Sequence, residues 1–142
     1  MKHDLEHAGL AGEVTVDSAG TLDYHVGKLP DSRMRAAAAQ RGLNLGHRAR
    51  QVTAQDLKDF DLVLVMDHDN LSEVMRLPGA HEREAKIKLF CEFCTEHDEK
   101  EVPDPYYGGA QGFQKVLDLL EDGCAEITRR LQDGTLLKKS EP

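Results

Sequence analysis

The sequence predicts an α/β fold, a parallel sheet covered by helices on both faces. Three observations carry this expectation. Leu62-Val63-Leu64-Val65-Met66 is a continuous apolar run without polar alternation, the pattern of a strand buried on both faces. Phe113, Val116, Leu117, Leu120, Cys124, Ile127 and Leu131 recur at helical spacing and form one apolar face of a long helix. Strand-like and helix-like segments alternate along the chain, which favours parallel strands joined by crossovers.

Taken in order, Lys2 to Ala8 reads as a short helix that stops at Gly9, a C-terminal cap. Val14-Thr15-Val16 reads as a strand between Gly12 and Ser18-Ala19-Gly20. Gly20 to Pro30 reads as a loop. Asp31 to Arg41 reads as a helix, with Pro30 suited to its first turn, Ala36 to Ala39 favouring it and Gly42 closing it. Thr53-Ala54-Gln55-Asp56 has capping-box spacing, with Asp in place of Glu or Gln. Asp69 is a candidate cap for a helix running to Leu77, which Pro78-Gly79 ends. Ile87 to Phe90 is a further short strand, and the polar tail from Asp133 to Pro142 is expected to fray. With no linker, residues 1–142 read as one domain.

Composition narrows the function. A chain of 142 residues can bury a core without a disulfide or a metal. Eighteen Lys and Arg against 26 Asp and Glu give a net charge of −8, which disfavours nucleic acid and anionic lipid as partners. The longest apolar run is too short to span a bilayer, and the N-terminus has no signal-peptide core. Three cysteines, an odd count, suggest reduced thiols and a cytoplasmic location.

Several residues are candidates for chemistry. Proline on both sides of Asp104 stiffens its backbone, so the carboxylate could serve as a general acid. Tyr106 and Tyr107 could wall a pocket for a flat substrate, or the segment could be a rigid turn before the long helix. His47 lies in a loop, where it could orient a neighbour or simply be solvated. Ser18 and Asp67 follow strands, where ligands of parallel α/β sheets gather, yet either could be a turn-former or a helix cap. Cys91-Glu92-Phe93-Cys94 is a lone CxxC without the second pair that structural zinc needs, so it reads as buried or semi-buried thiols. Cys124 to Arg130 formally satisfies Cys-x5-Arg, but these residues belong to the long helix, whose amides are already bonded and cannot curl around phosphate.

The ordered set Asp17-Ser18-Ala19-Gly20-Thr21, Tyr24, Gly27, Pro30-Asp31, Arg33, His47, Ala49-Arg50-Gln51, Phe60-Asp61, Met66-Asp67, Asn70 and Asp104-Pro105-Tyr106-Tyr107-Gly108 strongly resembles the low-molecular-weight protein tyrosine phosphatase family. The resemblance implies a four-stranded parallel sheet with helices on both faces, and hydrolysis of phosphotyrosine proteins or aryl phosphates through a phosphocysteine, with no cofactor and no metal. It assigns Asp104 as the general acid and base. It assigns Tyr106 and Tyr107 as one substrate wall and Tyr24 as the opposite wall. Ser18 and His47 would hold the phosphate loop in shape, with Asp67 near it.

The family's opening strand, its Cys-x5-Arg loop and most of its first helix, about 20–25 residues at typical element lengths, have no counterpart here. Met1-Lys2-His3-Asp4-Leu5-Glu6 instead resembles the end of that first helix. The expectation is a domain lacking its first strand, catalytically silent as it stands, poorly stable alone, and with open strand edges that admit a dimer. Two alternatives stay open, a non-catalytic interaction module and an arsenate reductase of the same fold. Phosphoarginine is a further conceivable substrate of the completed enzyme.

Overall fold

The structure, a computed structural model, describes residues 1–10, 12–20, 32–43, 50–103 and 109–136. Helix α1 spans Lys2–His7, α2 Ser32–Gln40, α3 Ala54–Asp59, α4 His68–Met75 and α5 Gly109–Asp133. Strands β1 (Val63–Val65) and β2 (Ile87–Leu89) pair in parallel, Val63 opposite Ile87 and Val65 opposite Leu89. Two 3-10 segments, His81–Lys86 and Phe90–Phe93, flank β2. No helix among the described residues is long and apolar enough to cross a membrane.

The α/β class is as expected, and the apolar run explains its layering. Val63 and Val65 point to one face, into a cluster of Leu57, Val74, Ala80 and Ile87 beneath α3 and α4. Leu62, Leu64 and Met66 point to the other, against Phe90, Phe93, Val116 and Ile127 on the α5 side. Alternate residues of a strand face opposite ways, so a strand covered on both faces must be apolar at every position. A third cluster, Ala37 and Ala38 with Phe113 and Leu117, seats α2 on α5.

Local signals set most element ends. Gly9 and Gly42 adopt φ of 74° and 78° just past α1 and α2, a left-handed backbone that closes a helix at no side-chain cost. Both halves of the capping box form at α3: Thr53 N donates to Asp56 Oδ2 at 2.8 Å, and Asp56 N to Thr53 Oγ1 at 3.4 Å.

Four expectations need correction. The cap of α4 is Asp67, whose Oδ1 accepts from Asn70 N at 2.7 Å, and Asp69 lies in the first turn. A cap must precede the helix with extended backbone, and Asp67 has φ −147° and ψ 176°. Residues 14–16 form no ladder with the other described residues. The one bridge of this segment among the described residues joins Gly20 to Gln51 in parallel. Valine favours an extended backbone but cannot supply the neighbouring strand a ladder requires. Strand β2 ends at Leu89, because Phe90 enters the 3-10 turn. The apolar face of α5 is wider than the spacing implied: Leu119 is fully buried while Leu120 is half-buried, because α5 is covered by α1, α2 and the 3-10 turn on different sides. Of the tail, residues 137–142 lie outside the described residues.

Candidate functional site

Because the strands run parallel, their carboxyl ends gather at one edge, where α/β sheets bind ligands. Residues 17–20 lead into the parallel Gly20–Gln51 bridge, residues 66–70 follow β1 directly, and residues 101–103 are bonded to residues 66–70.

The first segment is tied down by one guanidinium. Gly20 N donates to Arg50 O and Val52 N to Gly20 O, both at 2.8 Å. The Arg50 side chain then donates from Nη1 to Asp56 Oδ2 at 2.9 Å and from Nη2 to Asp56 Oδ1 at 3.0 Å. Its Nε donates to Asp17 Oδ2 at 3.2 Å. This two-pronged grip on Asp56 lowers the carboxyl's pKa, helped by the Thr53 amide, and raises that of Arg50. Asp17 Oδ1 accepts from Ser18 N at 2.8 Å, so exposed Ser18 is held at the end of this network.

The second and third segments are joined. Val102 N donates to Met66 O at 2.8 Å, and the buried Val102 side chain enters the α5-side core. Next to it, His68 N donates to Glu101 Oε2 at 3.1 Å, and His68 Nδ1 lies 3.0 Å from Glu101 Oε1. These contacts hold the Glu101 carboxyl below its usual range, the His68 side chain being the main cause. Asp67 serves α4 as its cap, at the carboxyl end of β1.

Of the expected site residues, Ser18 and Asp67 are described: Asp67 lies just after β1, and exposed Ser18 stands two residues before the Gly20–Gln51 bridge. Tyr24, His47, Asp104, Tyr106 and Tyr107 lie outside the described residues. The residues flanking the Asp104 segment are fixed, Val102 by β1 and Gly109 by the start of α5. The formal Cys-x5-Arg match sits inside α5. There Cys124 O accepts from Thr128 Oγ1 at 2.8 Å, burial pushes the Cys124 thiol up, and Arg130 lies over the Phe93 ring at 5.0 Å. A mid-helix thiol with a raised pKa is not a nucleophile.

Three polar links were not visible in the sequence. The Arg50 grip, the His68–Glu101 pair and the contacts of Asp122 join residues distant in sequence or follow no helical period. Asp122 on α5, its side chain 4% exposed, accepts from Thr95 N and Glu96 N, both at 2.9 Å, and lies 2.7 Å from His97 Nδ1. Four contacts, including Thr95 Oγ1 at 3.2 Å, outweigh desolvation and hold its pKa down to about 2.

Comparison with known proteins agrees with this architecture. The family model described as low molecular weight phosphotyrosine protein phosphatase matches residues 1–137. A low molecular weight protein-tyrosine-phosphatase of Synechocystis is 42% identical over 131 residues, covering 92% of this chain and 83% of the relative. A low molecular weight phosphotyrosine protein phosphatase of Schizosaccharomyces pombe is 39% identical over 114 residues, covering 80% of this chain and 72% of its own. Among solved structures, the protein tyrosine phosphatase of Entamoeba histolytica superposes with a TM-score of 0.89 at 40% identity, covering 95% of this chain and 86% of that one.

Proposed function

Because this chain belongs to the low molecular weight phosphotyrosine protein phosphatase family, we propose that its residues form the acid side of a phosphotyrosine-hydrolysing site and that the 142 residues do not turn over substrate by themselves. Asp104 protonates the leaving phenolate and then activates water for hydrolysis of the phosphocysteine. Tyr106 and Tyr107 flank the substrate ring on one side and Tyr24 on the other, while Ser18, His47 and Asp67 support the phosphate loop. The thiolate and the phosphate-binding Arg belong to a Cys-x5-Arg loop, and the 142 residues offer that pattern only at Cys124, inside α5.

The observation that carries this reading is the bond from Val102 N to Met66 O at 2.8 Å. It holds Val102, two residues before Asp104 in sequence, at the carboxyl end of β1 beside Asp67, which supports an acid in a region where ligands of parallel α/β sheets gather. The Cys124 geometry supports the second half. Without a thiolate there is no covalent route, and without a cradle phosphate has few donors.

The test is hydrolysis of an aryl phosphate by two proteins, the 142-residue chain and the same chain preceded by a strand and a Cys-x5-Arg loop. We expect no turnover from the first and turnover from the second, with Asp104→Asn lowering kcat about 10²–10⁴-fold. Turnover by the 142 residues alone would overturn the silent half. An extended protein indifferent to Asp104→Asn would overturn the acid assignment, and an extended protein that binds vanadate yet hydrolyses no aryl phosphate would favour an interaction module.

A further inference from the structure

The function above leaves Cys91 and Cys94 unused. We propose that they are a disulfide-forming pair, oxidised by a low-molecular-weight disulfide of the glutathione class. The geometry comes from the 3-10 turn Phe90–Phe93, with Cys94 as its C-terminal cap. Three residues per turn set position i over position i+3, and Cys94 N donates to Cys91 O at 3.2 Å. A turn closed this way keeps its ends within about 7 Å, and a disulfide needs about 4.4–6.8 Å between Cα atoms. Each thiol also perturbs the ionisation of the other, so the side chains are close.

The surroundings make the pair directional. Phe90 and Phe93 are 3% exposed and hold the turn in the core. Cys91 is buried while Cys94 is half-buried, its Sγ donating to Leu119 O at 3.5 Å, so a small disulfide reaches Cys94 first once that weak bond gives way. Cys94 sulfur attacks one sulfur of the small disulfide and forms a mixed disulfide, releasing the first small thiol. Cys91 sulfur then attacks Cys94 sulfur, and the second small thiol leaves. The two protein protons end on the two released thiols, so one disulfide is reduced as one is formed. A metal site is the weaker reading, because His97 is engaged by Asp122 and no three metal-ligating side chains cluster among the described residues.

Burial and neighbouring acids set the character of the exchange. Desolvation, with Cys91 and Asp122 adding to it, pushes the Cys94 thiol up to about 12, and burial raises Cys91 as well. The reduced pair therefore gains nothing from thiolate formation, which tilts the equilibrium toward the neutral disulfide. The same feature makes exchange slow near neutrality, faster by about tenfold per pH unit as the thiolate fraction grows.

The experiment treats the whole folded chain with oxidised glutathione, without denaturant, at two alkaline pH values. Free thiols are then alkylated and the peptides mapped by mass spectrometry. We expect a Cys91–Cys94 link, a fall from three alkylatable cysteines to one with Cys124 still free, and faster reaction at the higher pH. Cys91→Ser should instead trap a stable glutathione adduct on Cys94. Three cysteines still alkylatable at equilibrium, or a link from Cys94 to Cys124, would overturn the proposal. A link formed only after denaturant is added would overturn it too, because it would not come from the folded turn.

Discussion

The seam between α5 and the 3-10 turn and the carboxyl edge of the sheet are held by different forces. At the seam, contact is close and largely apolar. Phe90 lies against Gly123, where an added Cβ would meet the ring at 2.4 Å, and Leu119 is fully buried. Its one large polar feature, Asp122, is buried with all its partners in place. At the carboxyl edge, Asp17 and Ser18 are exposed, and segments are joined by Arg50, whose side chain is 36% exposed, and by the open His68–Glu101 pair. The difference teaches where stability and chemistry reside. Burial fixes one region with little dependence on salt, whereas the other is fixed by charges that salt can screen.

Substitutions test this division. Leu119→Ala should cost about 2–5 kcal/mol, as a buried leucine leaves a cavity, and urea unfolding would measure it. Gly123→Ala is the sharper probe, since it should improve helix propensity by about 1 kcal/mol yet still destabilise by about 1–3 kcal/mol through the clash with Phe90. A stabilised Gly123→Ala protein would mean that the seam is looser than its distances.

Acid probes the seam's polar link. The Asp122 carboxyl titrates lower in the folded chain, about 2 against an ordinary 3.8, so its contribution is complete above the ordinary value and is lost as pH falls through the folded one. Between about pH 4 and pH 2 the chain should lose about 2 kcal/mol that Asp122→Asn does not lose. Parallel unfolding curves for the two proteins would remove the depressed pKa from the account.

The carboxyl edge should respond least. Arg50→Lys keeps the charge but not the two-pronged grip, and for a pair this exposed the cost should be about 0.5–1 kcal/mol, diminishing with added salt. A loss as large as that of Leu119→Ala, and indifferent to salt, would erase the distinction between the two regions. The surface pair Arg76–Glu73 at the far end of α4, with Arg76 75% exposed, sets the floor: Arg76→Ala should change stability by less than about 0.5 kcal/mol.

Residues 62–66 and 113–131 show what was legible and why. Each carries a period or its absence along the chain, and that alone distinguishes a doubly covered strand and a helix with one apolar side. The capping box at Thr53 and the glycine stops were equally local. The sequence offers both Asp67 and Asp69 as caps because they are chemically alike, and only the backbone before α4 separates them. Among the described residues of the candidate site, the sequence named Ser18 and Asp67 and carried Arg50 in its motif order without a role, but not His68, whose partner Glu101 is reached only through folding.

By itself, then, the sequence determined what repeats or terminates within a few residues: the α/β class, the apolar strand, the long helix, most helix ends, and a motif order dense enough to identify the family. Tertiary structure decided which carboxylate takes which partner, which face of α5 is covered, and whether valines 14 and 16 find a ladder. The physical reason is range. Backbone preference and periodicity act between neighbours along the chain, while hydrogen bonds, ion pairs and desolvation depend on what packing brings together.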